Sequence, residues 1–126
     1  MNKSVLIGRV VRDFDINKTK NDKSVVNFTL AIDKQMSKEA KEEAEKEGQP
    51  TAYFISVTAW GKLADSAYRY MGKGSLCAVS ARLENRSYTD KETGKTIYTT
   101  DVIAESIEFL QDPFREHREA KWKEGN

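Results

Sequence analysis

Phe54 and Trp60 are the residues best suited to chemistry in this chain. They lie six positions apart in residues 52–64, AYFISVTAWGKLA, where Tyr53, Ile55, Val57 and Ala59 alternate with Phe54, Ser56, Thr58 and Trp60. Period-two alternation is the mark of a half-buried strand, and six residues at ~3.3 Å each put the two rings on one face roughly 20 Å apart. The first set is apolar and suits a core. The second carries two large rings with only hydroxyl residues between them. A core face would fill that space with Val, Leu or Ile, and a solvent face seldom carries Phe and Trp. Flat rings separated by small polar residues suit stacking of nucleobases, since every base has a π-face and a small neighbour leaves room for it. The alternative is a second packed face, as in a sandwich.

A second strand carries the charge to match. In residues 75–88, Cys77, Val79, Ala81 and Leu83 share one parity, while Arg82, Glu84, Arg86 and Tyr88 share the other. An aromatic among guanidinium groups can stack on bases and pair with phosphates. The bland alternative is an edge strand whose outer charges block aggregation. The overall charge of +1 is uninformative, but residues 1–35 hold seven Lys or Arg (3, 9, 12, 18, 20, 23, 34) against four Asp (13, 15, 22, 33), a net of +3. A local basic patch matters more for nucleic acid than the total. Two aromatic-bearing strands beside a basic third favour a nucleic-acid binder.

Enzyme chemistry finds no foothold. Cys77 and His117 are each alone, no glycine-rich phosphate loop occurs, and no histidine cluster offers a metal site, so neither metal nor cofactor is expected. The acids sit in loops, without apolar pocket residues around them. A lone thiol, no apolar run of membrane-spanning length and an early charged N-terminus predict a soluble cytoplasmic protein with no membrane partner.

The elements that must position these residues follow in order. Residues 4–11 (SVLIGRVV) read as a first strand, with Gly8 marking a bulge or sharp bend. Residues 13–23 are polar, with turn chemistry at Asn21-Asp22. Strand two is 24–33, with Val26, Phe28, Leu30 and Ile32 inward and a small, mixed outer set. Residues 36–49 are Glu- and Lys-rich without an apolar stripe, predicting an exposed insertion, partly helical or disordered, that contributes little to fold or binding. Strand three ends at Gly61, and residues 62–71 form a short helix stopped by Gly72-Lys73-Gly74. Strand four is 75–88, residues 89–95 turn, and strand five is 96–109. The parity change between Val102/Ala104 and Ile107/Phe109 predicts a bulge in strand five. The order β-β-β-α-β-β predicts an all-β, five-stranded OB-fold barrel with one short helix between strands three and four. The expected division is one domain, 1–110, and a charged tail, 111–126.

Asn2-Lys3, VLIGRV (5–10), VVNFTLA (25–31), WGKLAD (60–65), YMGKGS (70–75), ARLENRSYTD (81–90) and YTTDVIAESIEFL (98–110) together resemble the bacterial and phage single-stranded DNA-binding protein family, over residues 2–110. The resemblance implies an OB-fold, assembly as a homotetramer through first strands, and non-enzymatic, sequence-tolerant coating of single-stranded DNA in replication, recombination and repair. It implies base stacking by Phe54, Trp60 and Tyr88 and phosphate contacts by Lys62, Lys73 and Arg86. Arg82 and the N-terminal basic residues Lys3, Arg9 and Lys34 are further contact candidates. A fourth family stacking position is occupied here by Met36, which is apolar and polarizable but stacks less well than Trp. Family members commonly end in a Gly/Pro/Gln-rich linker and an acidic, Phe-tipped tail. Residues 111–126 carry neither, and Asp112-Pro113-Phe114 is followed by basic residues, so docking of repair proteins is doubtful on this sequence: either the natural chain is longer than this one or this member lacks such docking. Alternative readings are a cold-shock-type RNA-binding module and a protein-interaction module that has kept only the fold.

Overall fold

The computed structural model describes residues 1–111; the expected tail, with Asp112-Pro113-Phe114, His117 and Trp122, lies outside the described residues apart from Gln111. The elements run β1 (Ser4–Val10), β2 (Ile16–Lys18), β3 (Ser24–Asp33), α1 (Lys38–Lys46), β4 (Ala52–Trp60), α2 (Gly61–Tyr70), β5 (Leu76–Thr89) and β6 (Thr96–Gln111). The sheet order is β1-β5-β6-β4-β3-β2, and a β1–β3 pairing closes the ring. Alternation explains the closure. Val26, Phe28 and Leu30 of β3, Val57 and Ala59 of β4, and Cys77, Val79 and Ala81 of β5 all point inward and are buried. Burying a side chain such as Leu30, with 0% of its surface exposed, contributes about 1.5–3 kcal/mol.

All five expected strands and the helix after the third are present, and the OB-fold expectation holds with two additions. A sixth strand, the three-residue β2, pairs Ile16 with Val26 in the stretch expected to be only polar turn. Its length is too short for any periodic signal. The second addition is α1. Ser37 caps it, its Oγ accepting from the Ala40 N–H at 3.1 Å, which favours a helix start in an Ala- and Glu-rich segment. Ala44 is buried, although no Cα of α1 comes within 8 Å of a Cα in another described element. Tyr53, expected in the core set, is instead 56% exposed, because it pairs with Ile32 where the β3–β4 hairpin runs beyond the core.

The predicted bulge in the last strand is Glu105. Ser80 pairs with Ser106 and Ala81 with Ala104, so Glu105 is the extra residue. β1 changes partners at the position of Gly8, which opposes Cys77 of β5 just before Arg9 and Val10 pair with Ala31 and Leu30 of β3. Helix α2 packs on β2, β3, β4 and β6, with Ala64 and Ala67 buried against the barrel. Phe14 and Phe28 pack in a tilted arrangement with 5.4 Å between ring centres, and Tyr68 of α2 meets Phe14 edge-on.

Candidate nucleic-acid interface

β3 and β4 form the floor of the interface. Their antiparallel register sets Val25 opposite Trp60, Asn27 opposite Thr58, Thr29 opposite Ser56 and Ala31 opposite Phe54. The outward faces of both strands are therefore small between the two rings. Thr58 Oγ1 donates to Asn27 Oδ1 at 2.7 Å, satisfying polar groups across the floor without raising it. Phe54 is 62% exposed and Trp60 39%. Trp60 closes β4 and Gly61 opens α2 at φ +63°, a left-handed conformation that favours glycine and lets the chain turn away immediately after the ring.

β5 and β6 form the wall. Val57 and Thr58 of β4 pair in parallel with Val102 and Ile103 of β6, which brings the outer face of the β5–β6 hairpin beside Trp60. The result is a groove of about 560 Å³ whose lining includes Val25, Asn27, Ser56, Thr58 and Trp60 on one side and Glu84, Asn85, Arg86, Thr100, Asp101 and Ile103 on the other. A second hollow of about 310 Å³ continues past Trp60 to Lys23, Arg82 and Ala104.

Of the residues singled out by sequence, the structure brings Trp60, Arg82 and Arg86 into these adjoining hollows. Phe54 lies farther along the same face of β4, and Tyr88, half exposed, continues the Arg86 face along β5. Lys62 is exposed in the first turn of α2. Lys73 is exposed in a tight loop where its backbone N–H donates to Asp13 at 2.8 Å. Lys3 pairs with Glu105 at 2.9 Å. Arg9 lines neither hollow; it donates to the Gly74 carbonyl at 2.9 Å and to Gln111 at 2.8 Å. Lys34 lies over the Tyr53 ring at 5.1 Å, and Met36 is partly buried just before α1.

Sequence reasoning missed three features. Lys23 sits with its Nζ 5.6 Å from the Trp60 ring centre and forms no ion pair among the described residues. No local sequence signal marked it; it follows from the β3–β4 register, in which Val25, two residues on, opposes Trp60. Tyr98, 77% exposed on the β5–β6 hairpin, was visible as a large ring out of phase with Ile97 and Thr99. The third is the pairing of the guanidinium groups. Arg86 Nε donates to Asp101 Oδ2 at 2.8 Å, and Arg82 Nε donates to Glu84 at 3.2 Å.

Cys77 is fully buried opposite Gly8, and burial pushes its thiol up to about 11, so it packs as a small neutral group. No helix among the described residues is long and apolar enough to cross a membrane.

Known proteins resemble this chain in sequence. A family model described as the single-strand binding protein family matches residues 1–110. The chain is 41% identical over 112 residues to single-stranded DNA-binding protein 2 of Clostridium acetobutylicum, covering 88% of this chain and 77% of that protein. It is 38% identical over 111 residues to a single-stranded DNA-binding protein of Halalkalibacterium halodurans, covering 88% and 61%. Single-stranded DNA-binding protein 1 of Staphylococcus aureus is 36% identical over 111 residues, covering 88% and 66%. The chain thus spans between about three-fifths and three-quarters of these relatives' length. With a ring-closed sheet, a match across residues 1–110 and relatives at this identity, the chain belongs to the single-strand binding protein family.

Proposed function

We propose that this protein binds single-stranded DNA with little regard to sequence, coating exposed strands during replication, recombination and repair, and that it does so without catalysis. The observation that carries the reading is the groove in which an open Trp60 faces Arg86 across a small polar floor, with Arg82 and Lys23 in the adjoining hollow. Bases stack on Trp60, Phe54 and Tyr88, while Lys23, Arg82, Arg86, Lys62 and Lys73 neutralise the backbone. Stacking supplies sequence tolerance, and charge supplies on-rate and much of the affinity. The binding unit is residues 1–110, in the cytoplasm, and residues 111–126 form a charged tail.

Titration with an oligo-dT strand should quench intrinsic tryptophan emission, and the log of the affinity should fall linearly with log salt. Single strands give a slope of about −0.7 per neutralised phosphate, so these five contacts predict a slope of roughly −3.5. A salt-independent titration would argue for a purely apolar surface. A matched RNA oligomer that binds more tightly would turn the reading to the cold-shock type.

The same reading includes a homotetramer. Val5 and Ile7 on the outer face of β1 are 72% and 55% exposed, and β1 joins β3 only from Arg9 onward. An exposed apolar strand with a free edge is ordinarily covered. Four copies would let one DNA strand wrap successive grooves. Sedimentation at micromolar concentration should give four times the chain mass of 14.3 kDa, and a monomer would refute the assembly.

A further inference from the structure

We propose that Asp101 is a built-in competitor of the DNA phosphate for Arg86, and that this competition sets the affinity and salt sensitivity of the groove. The inference rests on the single-stranded DNA reading above and deepens it. Arg86 approaches Asp101 side-on, with Nε to Oδ2 at 2.8 Å and the terminal nitrogen to Oδ1 at 3.5 Å. A carboxylate and a phosphate offer the same pair of oxygens to a guanidinium fork, so that edge of Arg86 can serve one of them at a time.

The cross-strand register makes stability a poor reason for this arrangement. Glu84 of β5 directly opposes Asp101 of β6, a like-charge pairing that disfavours the sheet. Arg86 and Arg82 each take one of the two carboxylates, and Arg82 and Lys3 also share Glu105. Exposed ion pairs of this kind add little to stability. What they do is neutralise a groove whose cations would otherwise be fully available. Asp101 is the member best placed to compete. Its side chain is 30% exposed against 52% for Glu84, and one methylene ties it closely to the β6 backbone. The Thr100–Asn85 bond of 3.1 Å pins the adjacent pair of residues across the hairpin. When a phosphate takes Arg86, the freed carboxylate therefore stays in the groove and opposes it. Binding is weakened and the strand is released more readily.

Asp101→Asn keeps the shape and an oxygen that accepts from Arg86 Nε, and removes the charge, an NH2 group taking the place of the second oxygen. Asp101→Ser is a second charge-free variant, and thermal unfolding checks that each remains folded. Dissociation constants for a fluorescein-labelled oligo-dT, read by anisotropy across a salt series, test the idea. Both variants should bind roughly three- to tenfold more tightly at low salt, with a slope more negative by about 0.7. Adding Arg86→Ala should abolish that gain. A gain that survives Arg86→Ala would overturn the competition and leave only general repulsion. Weaker binding by Asp101→Asn would overturn it in favour of Asp101 as a positioner of Arg86. Failure of the parent chain itself to bind oligo-dT would overturn the function reading and the competition with it.

Discussion

Trp60→Ala should lower affinity for an oligo-dT strand by ~1–3 kcal/mol, roughly 5- to 150-fold, while leaving the fold intact. The ring sits at the junction of both hollows, with Lys23 over it and Arg82 beside it, so a stacked base there would have cations available for its flanking phosphates. Stability should change little, because Trp60 is 39% exposed at the end of β4 and the core beneath β3 and β4 is built by Val26, Val57 and Ala59. The substitution also removes the reporter, so affinity is read from anisotropy of a labelled strand rather than from protein emission. Trp122 is the other tryptophan, and any quenching that persists in Trp60→Ala would come from it. An unchanged dissociation constant in a folded Trp60→Ala protein would remove the stacking platform from the mechanism. Lys23→Ala is the informative companion: it should flatten the salt dependence and leave Trp60 quenching in place.

The two rings were legible in the sequence because period two sorts a strand into faces, and a face with Phe, Ser, Thr and Trp fits neither core nor ordinary surface. The same periodicity located β3 at Ser24–Asp33 and anticipated the bulge at Glu105. Features that depend on pairing between distant strands were not legible. β2 exists because Ile16 finds Val26, and three residues carry no period. Arg82 and Arg86 read as free cations, yet a basic residue's identity does not say whether its charge is already matched. That depends on the β5–β6 register, which sets Asp101 diagonally across from Arg86 and which the bulge at Glu105 shifts by one residue toward the strand ends. Lys23 was hidden for the same reason. It belongs to the groove only because the β3–β4 hairpin places Val25 against Trp60.

Gly8→Ala should destabilise the domain by ~1–3 kcal/mol, the usual cost of forcing a methyl group into a packed interior. A Cβ at this position would lie 2.6 Å from the Ala31 carbonyl oxygen and 3.0 Å from Ile32 Cγ1. The nearer atom belongs to backbone that is held in the β3–β4 ladder by the pairings Ala31–Phe54 and Ile32–Tyr53, so it cannot swing aside as a side chain tip would. Removing a glycine also restricts the unfolded chain, which favours the variant by about 0.4–1 kcal/mol where the site has room. Here the contact is closer than real Cβ atoms tolerate, and the steric cost prevails. For a domain of this size the loss corresponds to a fall in melting temperature of roughly 5–20 °C, readable by circular dichroism. An unchanged melting temperature would mean that β1 and β3 can part without cost, and that the ring is not closed tightly at this point. The strain also has a path to the groove. Relief requires β1 to move from Ala31, and Ala31 is the residue opposite Phe54, so the far end of the stacking face shifts with it. Arg9 and Val10, which complete the β1–β3 closure, follow Gly8 directly. Binding by the folded variant at low temperature should therefore weaken less than stability does, because Trp60, Arg82 and Arg86 lie beyond the displaced segment.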